Sequence, residues 1–217
     1  MDKFILSAYA DEASSSIDGQ INALIRNNIK YIEVRFIDGK SVLDCDRKVI
    51  REAKKKLDDN NISVSAIGSY IGKIKITDDF LPHMEAMKRA LDAADILQAK
   101  FLRMFSFFIE KGQHEKYRLQ VLDRMDALLN LAGTTDIKCC HENEKEIYGD
   151  TLDRCLDLLR TFKGRLTGIF DPANFVQCGQ RPGEIFPELY PYTEYMHIKD
   201  ALMTDDSVVP SGQGDGD

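Results

Sequence analysis

Glu142, Asp171 and His197 are the residues whose types and positions could most readily do chemistry together. Glu142 follows the short apolar run Ile137 to His141, Asp171 follows Leu166 to Phe170, and His197 lies within Tyr195 to Ile198. Two carboxylates and one imidazole form a donor set suited to Mn²⁺, Zn²⁺, Co²⁺ or Fe²⁺. Charge beside buried apolar chain is costly unless it is paired, hydrogen-bonded or bound to a metal. Ordinary salt bridges would satisfy that condition too, so the residues alone leave both readings open. Further polar groups stand at the ends of other apolar runs: Tyr9, Asp11 and Glu12, then Glu33 and Arg35, then Arg103, and finally Lys199 and Asp200.

Something must bring residues this far apart in sequence to one place. Seven apolar runs recur along the chain: Phe4 to Tyr9, Tyr31 to Phe36, Ser63 to Ser69, Phe101 to Phe107, Ile137 to His141, Leu166 to Phe170 and Tyr195 to Ile198. Most are rich in β-branched or aromatic residues and lack clean alternation, as strands buried on both faces of a parallel sheet do. The segments between them carry three-four spacing, for example Ile17, Ile21 and Leu24, or Ile50, Ala53 and Leu57, which predicts core-facing helices. Ser14 to Ser16, Asp46, Thr77 to Asp79 and Asp150 supply helix starts.

Strict βα alternation predicts a parallel sheet with right-handed crossovers, either doubly wound or a (β/α)8 barrel. In both, ligands bind beyond the carboxyl ends of the strands, where the candidate residues fall. A dinucleotide fold should carry a glycine fingerprint after its first strand, but the chain reads Ala8-Tyr9-Ala10-Asp11-Glu12 there. The glycine-rich string Gly212 to Gly216 has no helix after it and reads as no phosphate cradle.

Composition narrows the partners. A net charge of −7 over 217 residues disfavours nucleic acid and anionic membrane. No apolar run suits a signal peptide or a membrane span, so a cytoplasmic location is expected. Five cysteines without CxxC spacing read as buried or idle thiols. His83 and His114 read as surface or capping groups, and the lysine run Lys54 to Lys56 as a solvated face.

The strings HENEKEIYGD (141–150), FDPANFVQCG (170–179) and MHIKDA (196–201), together with SAYADEAS (7–14), YIEVR (31–35), AIGSYIGKI (66–74) and FLRMFSF (101–107), carry a whole-chain resemblance. Their order and spacing resemble the sugar phosphate isomerase/epimerase family. That family belongs to the xylose isomerase-like superfamily, with the tagatose and psicose epimerases, inosose dehydratase and the apurinic endonucleases. The resemblance implies a single (β/α)8-type TIM barrel over 1–217 and a divalent metal (Mn, Zn, Co, Mg or Fe) held by Glu142, Asp171 and His197, with Glu144 as an alternative to Glu142. It implies proton transfer beside a sugar carbonyl through an enediolate, with Glu142 as one acid/base group. Arg103 and Lys199 would hold negative charge, and Asn174 stands where the family often has a substrate- or metal-contacting histidine. Glu33 with Arg35 reads first as a packed ion pair, and Glu33 also as a substrate contact. The expected partner is a small sugar or sugar phosphate; the endonuclease branch needs more histidines and a basic face.

The family pattern continues beyond the Val208-Val209-Pro210 segment into an eighth strand with a further metal-binding Glu. The expectation for this sequence is therefore an incomplete barrel of seven strands, with strand 8 missing and a homo-oligomer covering the open edge. A truncated or degenerate, non-catalytic carbohydrate- or metal-binding barrel is the alternative.

Overall fold

The computed structural model describes residues 4–216. Its parallel strands are β1 (Ser7–Ala8), β2 (Tyr31–Val34), β3 (Ser63–Ile67), β4 (Phe101–Met104), β5 (Lys138–Glu142), β6 (Leu166–Phe170) and β7 (Thr193–Met196). All seven lie within or overlap the predicted runs. Between them come α1 (Ile17–Arg26), α2 (Arg47–Asp59), α3 (Leu81–Leu97), α4 (His114–Ala132), α5 (Leu152–Thr161), α6 (Pro172–Val176) and α7 (Pro182–Leu189). Among the described residues, no helix is long and apolar enough to cross a membrane.

The chain divides into two compact units, each assembled from separated segments. The first comprises 1–69, 81–102 and 132–137. It carries β1, β2, β3 and the start of β4 in that order, all parallel. Its helices follow from the apolar spacing: α1 buries Ile17, Ile21 and Leu24, and α2 buries Ile50, Ala53 and Leu57. The Ser16 hydroxyl caps α1 by accepting from the Gly19 amide at 3.2 Å. The lysine run is paired at the surface: Lys54 and Lys55 with Asp58 and Asp59, and Lys56 with Asp18.

One histidine departs from its expected place. His83 is not a surface or capping group; it is buried on α3 at 4% exposure. It stands four residues before Met87, and Met87 precedes Ala90 and Ala94 by three and seven, all buried. The same three-four spacing that turns those residues inward turns His83 inward.

The second unit comprises 70–80, 103–131 and 138–217. It takes up the end of β4 and continues through β5, β6 and β7. β5 and β6 are buried on both faces along nearly their whole length, which matches their unbroken apolar runs. The glycine-rich string is wrapped around the chain's own carboxylate. Asp200 accepts from the amides of Ala201, Gly212, Gly214 and Gly216 at 2.8–2.9 Å. A Cβ at Gly214 would lie 2.4 Å from Asp200 Oδ1, so glycine is required for that approach. These four donors hold the Asp200 carboxyl below its ordinary value despite burial.

All five cysteines are free, and Cys139, Cys140 and Cys155 are buried. Burial pushes the Cys139 thiol up to about 12, so it is no nucleophile at neutral pH.

Candidate metal centre

The second unit places the three chemical candidates on successive parallel strands. Glu142 is the last residue of β5 and lies opposite Ile169 of β6. Asp171 immediately follows β6, and His197 immediately follows β7, whose Met196 lies opposite Phe170. The ladder continues one step as the His197 amide donates to the Phe170 carbonyl at 3.0 Å. Matched register therefore brings the three side chains to one level.

Each side chain is locally fixed. Asp171 is also the N-cap of α6, with Pro172 at the first helical position. One carboxylate oxygen accepts from the Asn174 amide at 3.0 Å. Asn143, just after β5, pins the same corner twice. Its side-chain amide donates to the Asp171 carbonyl at 2.9 Å, and its side-chain oxygen accepts from the Asp171 amide at 3.0 Å. Glu142 accepts from Arg103 Nη1 at 3.0 Å, and its other oxygen lies 2.7 Å from His197 Nδ1.

One ligand atom from each of Glu142, Asp171 and His197 lies within 4.8 Å of the other two. Both carboxylates are almost fully buried, at 4% and 2% exposure. Burial raises the cost of the Glu142 charge, but Arg103 and His197 outweigh it and hold that carboxyl down at about 2. Asp171 is shifted the other way. Burial pushes it up and the neighbouring Glu142 charge adds to this, while Lys199 at 3.8 Å offsets only part. A buried carboxylate short of positive charge, beside an ionised carboxylate and an imidazole, is a place a divalent cation fits.

The other candidates are distributed as follows. Arg103, Lys199 and Asn174 lie in this unit around the triad. Lys199 Nζ donates to Asn174 Oδ1 at 2.8 Å, and Asn174 Nδ2 donates to the Asn143 carbonyl at 2.7 Å. The Asn174 amide is thus engaged at both ends within the protein. Glu144, the alternative ligand, is not in the triad and pairs with Lys73 at 2.9 Å. Glu33 belongs to the first unit, where it is buried and accepts from the Tyr9 hydroxyl at 3.0 Å. Arg35 pairs there with Asp11 and Glu12 at 2.7 and 3.0 Å.

Sequence reasoning missed three contributors. Asn143 was visible only as a neighbour of Glu142, and Lys73 stood within the string AIGSYIGKI (66–74) without a role of its own. His141 is fully enclosed, with Nε2 2.9 Å from Ser106 Oγ, which itself accepts from the Gly149 amide. Burial drives His141 down to about 4, so it is neutral at physiological pH.

A family model for the xylose isomerase-like TIM barrel matches residues 21–217. The chain belongs to the xylose isomerase-like TIM-barrel family. Solved members of this fold are similar to it at low identity. A D-tagatose 3-epimerase-like protein has a TM-score of 0.76 and 16% identity, covering 96% of this chain and 80% of its own. The IOLI protein, solved with a bound zinc atom, also has a TM-score of 0.76 and 16% identity, over 96% of this chain and 79% of its own. A xylose isomerase-like TIM-barrel protein from Mycobacterium smegmatis, solved with magnesium, has a TM-score of 0.73 and 16% identity, over 97% and 82%. No curated protein sequence matches significantly.

Proposed function

We propose that this xylose isomerase-like barrel is a metal-dependent sugar isomerase or epimerase, moving a proton at the carbon beside a carbonyl. The observation that carries the reading is the Glu142, Asp171 and His197 triad, its two carboxylates buried, gathered within 4.8 Å at the ends of three successive parallel strands. The zinc and magnesium recorded in similar folds support it. Glu142, Asp171 and His197 would hold the ion, which when bound supplies Lewis-acid polarisation of a sugar carbonyl.

The remaining work belongs to the chain's own side chains. Glu142 is ionised at neutral pH and is the proton acceptor in this proposal. Arg103 both keeps it ionised and weakens it as a base; a ligand that drew Arg103 away would return basicity to Glu142. Lys199, braced by Asn174, lies where an ammonium stabilises developing negative charge.

The test is solvent deuterium exchange into a panel of pentuloses, hexuloses and inososes, followed by NMR with protein loaded with Mn²⁺ or Zn²⁺. Metal-dependent exchange that disappears in Glu142→Gln is expected. Metal bound at one per chain without exchange into any of them would instead indicate a binding protein and end the enzymatic reading.

A further inference from the structure

The paired residues of β5 and β6 end at Glu142 and Ile169, which lie opposite each other. Beyond them β6 has one more residue, Phe170, and Pro172 opens α6. Asp171 stands between the strand and the helix at 2% exposure. A buried peptide N–H and C=O need hydrogen-bond partners. The Asn143 side chain, itself 1% exposed, serves both. Its Nδ2 donates to the Asp171 carbonyl at 2.9 Å, and its Oδ1 accepts from the Asp171 amide at 3.0 Å. A carboxamide offers a donor and an acceptor as a peptide group does. Asn143 therefore adds one side-chain rung to the ladder beyond its last paired residues.

That rung has a particular place. Asn143 directly follows Glu142, so it ties the chain beside one ligand to the main chain of another. Asn174 closes the corner from the helix side. Its Nδ2 donates to the Asn143 carbonyl at 2.7 Å, and its amide donates to Asp171 Oδ1 at 3.0 Å. Asp171 is thus held at its amide, its carbonyl and one carboxylate oxygen. A planar carboxylate with one oxygen fixed on a fixed main chain has its other oxygen fixed as well. Metal sites depend on such placement, since ligand distances must be met to within about 0.2 Å. Asparagine is the residue type that fits here. Aspartate has no donor for the Asp171 carbonyl, glutamine sets the same group one methylene further out, and alanine leaves the buried Asp171 N–H unpaired.

Resting on the metal-site reading above, we infer that Asn143 is the positioning residue of the metal centre. Its carboxamide sets where the Asp171 carboxylate stands relative to Glu142, and so sets the affinity and geometry with which the three ligands hold a divalent ion. It acts through Asp171 and is not itself a ligand.

The test is titration with Co²⁺, followed by the visible absorption of the bound ion, on wild type, Asn143→Ala and Asn143→Gln. Circular dichroism and thermal unfolding report whether each metal-free protein is folded. The wild type should bind one Co²⁺ per chain. Asn143→Ala should bind it roughly tenfold to a hundredfold more weakly. Its absorption at saturating Co²⁺ should also differ from that of the wild type, because the ligands meet the ion in another arrangement. Asn143→Gln answers the same question if Asn143→Ala does not fold. A purely structural role would lower the metal-free Tm and leave the saturated spectrum of the folded variant unchanged. That spectrum, or an affinity within tenfold of the wild type, would overturn the inference and leave the metal reading standing. Failure of both variants to fold would also overturn it, since Asn143 would then belong to the fold rather than to the ion. A wild type that binds no Co²⁺ would overturn the metal reading itself, and this inference with it.

Discussion

Arg103 shows how much one side chain decides here. Its charge, with that of His197, holds the Glu142 carboxyl down against burial, and the Arg103 and Glu142 side chains are only 12% and 5% exposed. Arg103→Met should leave a buried charge without its main partner and cost about 3–5 kcal/mol, read by urea denaturation at pH 7. A second ion pair tests the pH dependence away from the triad. Asp157 accepts from Arg118 at 2.6 Å and from the Tyr148 hydroxyl at 2.6 Å. Burial raises its carboxyl, but these two bonds outweigh burial and leave it below the ordinary value. A depressed folded value means the stabilisation is complete above the unfolded pKa and is lost as pH falls through the folded one. Asp157→Asn should therefore cost roughly 0.5–1.5 kcal/mol at pH 7, and the cost should shrink as pH falls through the carboxylate range. At this scale the sequence was informative about Glu142, Asp171 and His197, because their types announce chemistry wherever they stand. It said little about Asn143 and Lys73, whose roles lie entirely in what they touch.

At the scale of elements, two loops are held by close backbone approaches. Gly72→Ala would force a Cβ against the Phe105 carbonyl at a positive φ. The expected cost is about 1–3 kcal/mol by thermal or chemical denaturation, together with a displaced Lys73. Asp200→Ala removes the acceptor shared by four backbone amides. It should cost roughly 1–3 kcal/mol and speed amide hydrogen exchange at Gly212, Gly214 and Gly216 above that of the surrounding strands. The apolar runs overlap all seven strands, and the reason is plainest for β5 and β6, which are buried on both faces and so must be apolar almost throughout. The first run was overlong: only Ser7–Ala8 pairs, and Phe4, Ile5 and Leu6 remain 67–94% exposed. An apolar stretch records what a segment could bury, and the neighbouring chain decides what it does bury.

For the whole molecule, metal binding should couple to stability. A ligand that binds only the folded state at a hundred times its Kd stabilises by about 2.7 kcal/mol. For a chain of this size that corresponds to a rise in Tm of roughly 5–11 °C. Mn²⁺ or Zn²⁺ should produce such a rise, EDTA should reverse it, and His197→Ala should abolish it while remaining folded. A wild-type Tm indifferent to both ions would count against the triad as a metal centre.

The sequence by itself determined the family, the parallel βα order and the identity of the three candidate ligands. Those depend on residue type and on periodicity, which the chain carries locally. The tertiary structure alone decided that register brings the ligands to one level, that His83 turns inward, and that Glu142 rather than Glu144 belongs to the triad. It also decided that Gly72 sets Lys73 on the Phe105 ring beside Arg103. The physical reason is the same in each case: burial, charge pairing and van der Waals approach are properties of neighbours, and those neighbours are dozens of residues away along the chain.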